Sequence, residues 1–248
     1  MSRESESIHL SVVIPAYNEA GRLDSTLEQV IAYLNEQPYA AEVLVVDDGS
    51  SDGTAELAGE LLEGRAAHQV LVNEGNRGKG YSVRRGILQA RGERRLFSDA
   101  DLSTPIEHTG ELLAALESGA DIAIGSRVIE GSDIEVHQSF IRENAGKTFS
   151  VVQRALLGTG IKDTQCGFKM FTRGAAQAVF PHQTLDRWAF DAELLFVAQR
   201  LGLEIAEVPV RWIDSPETKV SMVSDGLKMV LDLAKIRWRH RRVRPDSR

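Results

Sequence analysis

The stretch Glu42–Ser50 reads EVLVVDDGS and gives the clearest indication of the fold class. Its first six residues form a mainly apolar run of strand length, and Asp48-Gly49 supplies turn chemistry directly after it. A similar run, Leu10–Pro15 (LSVVIP), lies upstream. Apolar residues recur at helical spacing between the two runs: Leu23, Leu27, Val30, Ile31 and Leu34. This strand–helix–strand order predicts an α/β fold with a mostly parallel sheet.

The alternation continues along the chain. Three further strands are predicted in the first half: Gln69–Val72, Arg95–Ser98 and Ile122–Gly125. Val128–Gln138 carries charges without periodicity, which predicts a loop long enough to serve as a lid. The later predictions are helices over Phe140–Leu157, Ala189–Leu201 and Ser221–Arg239, and strands over Phe168–Phe171 and Ile205–Val210. We expect a polar tail over residues 1–8, one main domain over 9–220, and a helix with a basic tail over 221–248.

Composition excludes several classes of protein. With 42% hydrophobic and 26% charged residues over 248 positions, the chain has the composition of a globular domain and not of a disordered one. The single cysteine, Cys166, excludes a disulfide scaffold and predicts a reducing, cytoplasmic setting. The polar start predicts no signal peptide, and no apolar window is long enough to predict a spanning helix. We therefore expect a soluble protein, or one that sits on a membrane surface.

The net charge of −7 is unevenly distributed. Residues 235–248 contain seven basic residues and one acidic residue, so this tail carries +6 and the rest of the chain carries −13. The acidic body argues against general nucleic-acid binding. Apolar residues of the last predicted helix form a stripe beside the basic ones: Leu227, Val230, Leu231, Ala234 and Trp238. This pattern predicts a helix that binds an anionic membrane surface; a core-packed helix with a solvated basic end is the alternative.

Three of the first four predicted strands end in polar loops that carry carboxylates. Asp99 and Asp101 follow the strand at Arg95–Ser98 and can face one hard cation, which leaves open positions for a diphosphate; a helix cap with a solvated partner is the alternative. Asp48 can accept hydrogen bonds from a ribose or a base, unless it only forms a turn. In the first loop, Tyr17 can stack on a base, and Glu19 can bind a hydroxyl or serve as a first-turn helix carboxylate.

Four motifs in this order resemble family 2 glycosyltransferases of the GT-A fold: Ser11–Glu19 (SVVIPAYNE), Val45–Thr54 (VVDDGSSDGT), Asn76–Gly80 (NRGKG) and Asp99–Asp101 (DAD). Two later motifs look like those of dolichyl-phosphate β-glucosyltransferases: Asp163–Arg173 (DTQCGFKMFTR) and Arg187–Leu195 (RWAFDAELL). The resemblance runs from about residue 9 to residue 238. It implies that a sugar moves, with inversion, from a nucleotide donor to a polyprenyl phosphate.

The family pattern implies roles for individual residues in the donor site. It places four residues around the nucleoside: Pro15, Tyr17, Glu19 and Asp48. Asp99 and Asp101 match the metal-binding pair, with Asp101 the expected direct ligand. Ser103 stands where many mannose synthases carry a glutamine that helps to hold the metal. Lys79 is expected near the donor, or else solvated in a Gly-rich turn.

The resemblance also implies acceptor and catalytic residues. Arg127 matches an arginine that meets the acceptor phosphate, for which its planar fork is suited; a surface ion pair is the alternative. Asp191 stands where many inverting relatives carry a catalytic carboxylate. A lipid phosphate is already ionised near neutral pH and needs no base, so Asp191 either acts as base for another acceptor or orients the sugar hydroxyls. Trp188 packs a sugar face or the core, and Lys169 and Lys219 are weaker phosphate candidates.

We therefore expect a metal-dependent, inverting glycosyltransferase that uses Mg²⁺ or Mn²⁺. It would move glucose from UDP-glucose to a polyprenyl phosphate while it sits peripherally on the cytoplasmic membrane face. Asp101, Arg127 and Asp191 are the expected catalytic residues, and Lys79 and Asp99 complete the expected nucleotide site. The alternatives are GDP-mannose as donor, a saccharide or small-molecule hydroxyl as acceptor, and a catalytically silent regulator that binds a nucleotide sugar.

Overall fold

The computed structural model describes residues 7–134, 153, 156–213 and 222–245. Its strands are β1 (Leu10–Ala16), β2 (Ala41–Asp47), β3 (Ala67–Val72), β4 (Arg94–Ser98), β5 (Ile122–Ser126), β6 (Asp133–Ile134), β7 (Phe168–Thr172), β8 (Ile205–Pro209) and β9 (Arg211–Trp212). Its α-helices are α1 (Leu23–Asn35), α2 (Thr54–Leu62), α3 (Lys79–Gln89), α4 (Thr109–Glu117), α5 (Arg173–Val179), α6 (Phe190–Arg200) and α7 (Met222–Arg239). Short 3₁₀ turns span Ile106–His108 and Phe180–His182.

Seven strands form one sheet in the order β3-β2-β1-β4-β7-β5-β8. Neighbouring strands are parallel, except that β7 runs antiparallel to both β4 and β5. From β1 the chain continues to β2 and β3 on one side of β1, and it later places β4 on the other side of β1. This is a switch point, where open α/β sheets bind their ligands. The mostly parallel sheet confirms the predicted fold class, although the direction of β7 is not evident from the sequence.

Strand β1 is buried on both faces, which explains its continuous apolar run. Leu10, Val12 and Ile14 belong to the core formed with α1, α2 and α4. Val13 belongs to the core on the opposite face, formed with α3, α5 and α6. Each such fully buried aliphatic side chain contributes about 1.5–3 kcal/mol relative to exposure. Helices on both faces therefore fix the sheet and, with it, the loops at its ends.

The second half of the chain differs from the sequence prediction in several places. Helix α5 is only seven residues long and buries two alanines and Val179, so it carries no long apolar spacing and the sequence does not reveal it. The predicted lid contains β6, which pairs with β9; residues 135–138 lie outside the described part, as does most of the predicted helix at Phe140–Leu157. The predicted boundary between residues 220 and 221 also lies outside it. Among the described residues, no helix combines the length and apolarity needed to cross a membrane.

Candidate active site

The carboxyl ends of β1, β2, β4 and β5 lie at one edge of the sheet. This edge and the loops after it bring together most of the predicted site residues: Pro15, Tyr17, Glu19, Asp48, Asp99, Asp101 and Arg127. Lys79 begins α3, and Asp191 lies in the first turn of α6. The topology thus places the carboxylate-bearing loops after the neighbouring strands β2, β1 and β4 at the same edge of the sheet, and their joint role in binding stays a prediction.

A hydrogen bond connects the loop after β1 to the start of α2. The Glu19 N–H donates to Thr54 Oγ1 at 2.9 Å, and the Glu19 carboxylate lies 2.7 Å from Arg22 Nε. Tyr17 is 37% exposed at the sheet edge, and Pro15 is half-buried beside it in β1. The exposed ring can therefore meet a planar ligand, while contact of these residues with a nucleoside stays a prediction.

Asp48 shapes the loop that leads into α3. Its carboxylate is buried and accepts hydrogen bonds from Asn73 Nδ2 (2.8 Å), the Arg77 N–H (2.9 Å) and the Gly78 N–H (2.7 Å). Three donors from the protein itself hold both carboxylate oxygens. Asp48 therefore fixes the Gly-rich loop in place, and its predicted hydrogen bond to a nucleoside stays a prediction.

Lys79 is held against Asp99. Gly78 and Gly80 flank it, and a Cβ on either would overlap the segment that contains Asp186 and Phe190, so only glycine allows this approach. Lys79 Nζ lies 2.5 Å from Asp99 Oδ1. Burial alone would lower the pKa of Lys79, but the carboxylates of Asp99 and Asp191 outweigh it, so the pKa lies above its ordinary value. Lys79 is thus a mostly buried cation paired with Asp99, and not the solvated lysine of the alternative, and its contact with the donor stays a prediction.

The backbone around Asp99 and Asp101 is fixed by neighbouring elements. The Asp99 N–H donates to the Gly167 carbonyl at 3.1 Å, and Thr26 Oγ1 donates to the Ala100 carbonyl at 2.5 Å. The exposed Asp101 accepts a hydrogen bond from the Ser103 N–H at 3.0 Å. The carboxylate pair is therefore attached to α1 and to the start of β7, and neither aspartate caps the following 3₁₀ turn.

The two carboxylates fit a divalent cation that is shared with a ligand. No cluster of three or more metal-binding side chains occurs in the described part of the chain. Mg²⁺ is commonly bound by one or two carboxylates together with substrate phosphates and water. Asp99 Oδ1 is buried and lies against the Lys79 ammonium group, so the structure already places a positive charge beside this carboxylate. The pair suits an ion that binds together with a diphosphate.

Asp191 forms an ion pair in the core. Lys169 is fully buried on β7, and its Nζ donates to Asp191 Oδ1 at 2.6 Å and to the Cys166 carbonyl at 2.5 Å. Burial raises the pKa of Asp191, an effect that Lys169 and Lys79 partly offset. Trp188 is half-buried, with its ring centroid 5.8 Å from Lys79 Nζ. Acidic and basic groups therefore alternate from Asp99 through Lys79 and Asp191 to Lys169.

Arg127 is already paired within the protein. Its Nε and Nη2 donate to the two oxygens of Asp163 at 2.7 and 2.9 Å, and its guanidinium carbon lies 5.4 Å from the ring centroid of Trp212. Burial opposes the charged form, but Asp163 more than compensates and raises the pKa of Arg127. The ion-pair alternative is therefore present, although Arg127 remains 28% exposed. Contact with an acceptor phosphate stays a prediction.

The sequence does not give the contacts of several residues around the site. The sequence suggests Lys169 as a phosphate ligand. In the structure Lys169 is fully buried between Asp191 and a backbone carbonyl, so it is a partner of Asp191 instead. The sequence also gives no indication of the roles of Asp163 and Gly167. All three lie in the motif at Asp163–Arg173, which marks the segment but cannot show that β7 inserts between β4 and β5. Lys219 lies outside the described residues.

Comparison with known proteins identifies the family. The sequence model of Glycosyl transferase family 2 matches residues 11–180, which is more than half of the chain. The chain belongs to glycosyltransferase family 2. A dolichyl-phosphate β-glucosyltransferase of Dictyostelium discoideum is 39% identical over 95% of this chain and 76% of its own length. The Homo sapiens protein of the same name is 36% identical, over 96% of this chain and 77% of that protein.

Solved structures confirm the GT-A fold. Mannosyl-3-phosphoglycerate synthase from Rubrobacter xylanophilus superposes with a TM-score of 0.70 at 19% identity, over 95% of this chain and 74% of that one. A second neighbour is glucosyl-3-phosphoglycerate synthase from Mycobacterium tuberculosis, solved with Mn²⁺, UDP and glucosyl-3-phosphoglycerate. It superposes with a TM-score of 0.66 at 20% identity, over 99% of this chain and 83% of that one. At these identities the likeness extends to the fold alone. The family match and the fold agree, and Asp99 and Asp101, the acidic pair, lie at the edge of the sheet of this family 2 glycosyltransferase.

Proposed function

We propose that this glycosyltransferase transfers glucose from UDP-glucose to a polyprenyl phosphate, with inversion at the anomeric carbon. The observation that carries the proposal is the convergence of Asp99, Asp101, Lys79 and Asp191 at one sheet edge. Its relatives over more than nine-tenths of the chain are named dolichyl-phosphate β-glucosyltransferases, which supports both the sugar and the lipid acceptor. A structural neighbour solved with UDP supports the uridine donor.

In this reaction an oxygen of the acceptor phosphate forms a bond to the anomeric carbon of glucose. The bond from that carbon to the diphosphate breaks, and its electron pair leaves with UDP. Tyr17 and Glu19 would bind the nucleoside at the loop after β1. Arg127 would bind the acceptor phosphate through the N–H groups that Asp163 does not use, since a guanidinium has five donors. Correct placement of the two reactants supplies much of the rate enhancement.

Asp191 would accept hydrogen bonds from the glucose hydroxyls and would not act as a base. Its ion pair with Lys169 holds the carboxylate in a fixed position and favours the ionised form against the burial that raises its pKa. The acceptor phosphate is ionised at neutral pH, so no proton has to be removed from the nucleophile. A hydroxyl acceptor would require a base and would make the raised pKa of Asp191 useful, which is the reason to test both acceptors.

Asp99 and Asp101 would hold Mg²⁺ or Mn²⁺ jointly with the donor diphosphate. Such a cation, when bound, neutralises the negative charge that develops on the leaving diphosphate. Lys79 would turn from Asp99 toward the diphosphate and add a second positive charge at the same place. In this arrangement the chain supplies the carboxylates and the ammonium group, and the nucleotide supplies the remaining oxygen ligands.

The C-terminal helix α7 would attach the enzyme to an anionic membrane surface. Leu233 and Ile236 pack on α6, whereas Leu231 and Trp238 are 56% and 66% exposed on the opposite face. The exposed apolar side chains lie beside the basic tail, and each basic residue close to an anionic surface contributes about 1 kcal/mol. We extend the proposal to a peripheral position on the cytoplasmic face, with residues 9–220 as the catalytic domain and 221–248 as the membrane-binding part.

The test is transfer of labelled glucose from UDP-glucose into an organic-extractable product, with polyprenyl phosphate and Mg²⁺ or Mn²⁺ supplied. We expect extractable label that disappears with EDTA. Asp101→Ala should lower transfer at least 100-fold without unfolding the protein, whereas the exposed Glu60→Ala on α2 should leave it unchanged. Bound UDP-glucose without transfer would overturn the acceptor. Absence of UDP-glucose binding would overturn the donor and favour GDP-mannose.

A further inference from the structure

A cleft of about 390 Å³ lies between α6 and α7, and none of the residues that line it belongs to the predicted active site. Leu157 and Phe196 form its apolar wall. Gly158, Gln199 and three arginines complete the lining, and the arginines are Arg200, Arg237 and Arg241. We call this the arginine cleft. Its combination of apolar wall and guanidinium groups is suited to an anion that carries a hydrocarbon chain.

The arginines are held in place by backbone carbonyls. Arg200 Nη2 donates to the Arg241 carbonyl at 2.8 Å, and Arg237 Nη1 donates to the Leu156 carbonyl at 2.6 Å. Arg241 Nη1 donates to the Trp238 carbonyl at 2.6 Å, and its guanidinium lies over the Trp238 ring at 4.7 Å. These contacts fix the side chains but use only part of the donors of each guanidinium. Ordering them in advance lowers the entropy cost of binding a ligand.

The positive charges of the cleft are not neutralised by carboxylates in the described part of the chain. Glu204 and Glu207 line a neighbouring cleft instead, on the other side of Gln199. Glu207 is itself occupied, because it accepts the N–H groups of Lys162 and Asp163 at 2.9 and 3.1 Å. Three guanidinium groups therefore surround a cavity that contains no anion from the described chain.

One of the arginines that line the cleft, Arg241, lies over the ring of Trp238, which is exposed on the face of α7 that also carries Leu231. We propose that the arginine cleft binds the phosphate headgroup of an anionic phospholipid, while the exposed Leu231 and Trp238 contact acyl chains of the same membrane surface. This inference deepens the proposed membrane contact and rests on it. The proposed membrane contact then includes a defined site in addition to the general attraction of basic residues. In that site a guanidinium binds one phosphate group through two parallel N–H groups.

The first experiment measures binding in solution, without a membrane. The full chain is titrated calorimetrically with inorganic phosphate and with a short-chain phosphatidic acid below its micelle concentration. We expect the lipid to bind at least tenfold more tightly than phosphate, and Arg237→Gln to weaken lipid binding more than tenfold. Arg242→Gln removes the same charge from the same tail but not from the cleft, and should change binding less than twofold. Equal affinities for phosphate and lipid would overturn the lipid as ligand.

The second experiment measures binding to vesicles of phosphatidylcholine with and without phosphatidic acid. Arg242→Gln should weaken binding about fivefold, as expected for one basic residue near the surface, and Arg237→Gln more than twentyfold. Arg237→Lys keeps the charge but not the fork, and should fall between them. Equal losses for Arg237→Gln and Arg242→Gln would overturn the site.

Different results would overturn the arginine cleft and the proposed function. Arg237→Gln in detergent should transfer glucose like the wild type, because the cleft lies apart from the active site. Loss of that transfer in a folded variant would overturn the separation of cleft and active site. Lipid binding in solution without vesicle binding would support the cleft and overturn the proposed membrane contact of α7.

Discussion

Gly167 shows how closely one residue determines the position of the acidic pair. A Cβ at this position would overlap the Asp99 carboxylate, because the start of β7 lies directly against it. We expect Gly167→Ala to displace Asp99 and to lower transfer at least 100-fold. Gly174→Ala is the matched control, since a Cβ there meets nothing within 4 Å. Transfer rates and thermal unfolding of both variants provide the measurement. Full activity in Gly167→Ala would show that Asp99 need not occupy this position.

Lys169 is a buried cation whose partner is a carboxylate of the proposed site. Its removal by Lys169→Met leaves Asp191 buried with less compensation, so the pKa of Asp191 should rise further. If ionised Asp191 binds the sugar, the acidic limb of the kcat/KM profile should move to higher pH in Lys169→Met. Lys169→Arg, which keeps the charge, should restore the limb. A uniform loss of activity at every pH would indicate that Lys169 serves packing alone.

At the scale of elements, α6 joins the active site to the C-terminal helix. Its first turn carries both Asp191 and Glu193, and Glu193 is fully buried. Glu193 accepts hydrogen bonds from the Thr184 hydroxyl (2.6 Å), from the Thr184 and Leu185 N–H groups (2.9 and 2.8 Å), and from His240 at 2.7 Å. One carboxylate therefore connects the segment before α6 to the residue that follows α7.

The pH dependence of stability tests this connection. Burial opposes ionisation of Glu193, but the hydrogen bonds from His240 and Thr184 outweigh it and lower its pKa below the ordinary 4.5. Its stabilisation is therefore present above pH 4.5 and is lost as the pH falls through the lowered value. Glu193→Gln should lower the free energy of unfolding at pH 7 by about 1.5–3 kcal/mol and flatten its decline below pH 4.5. Exposed Glu204→Gln is the control, and an unchanged acid profile in Glu193→Gln would contradict the assignment.

The elements of the first half could be predicted from the sequence because each is defined by local periodicity. The strand at Glu42–Asp47 and the helix with Leu23 and Leu27 lie where the pattern places them. Pairings between distant residues could not be predicted. Arg127 meets Asp163, and Lys169 meets Asp191, only because β7 inserts antiparallel between β4 and β5. The sequence marks these residues as unusual, but no local signal gives the strand order that brings them together.

At the scale of the whole molecule, the site is assembled from loops that are far apart in the sequence. Residues near positions 17, 48, 79, 99 and 191 meet at one edge, so a ligand that contacts them joins both halves of the sheet. The chain up to residue 234 carries a net charge of −13, and the residues after it carry a net charge of +6. An anionic donor therefore needs local cations: Lys79, and the metal ion that Asp99 and Asp101 would hold.

This arrangement predicts that nucleotide and metal stabilise the fold only together. At 100 times its dissociation constant, UDP should raise the free energy of unfolding by about 2.7 kcal/mol in the presence of Mn²⁺, which corresponds to roughly 5–10 °C in the unfolding temperature. EDTA should abolish the shift, because the diphosphate would then face the carboxylates of Asp99 and Asp101 without a shared cation. Asp101→Ala should abolish it as well, and Glu60→Ala should retain it. The measurement is thermal unfolding with each ligand alone and with both, and a full UDP shift in EDTA would show that Lys79 alone neutralises the diphosphate.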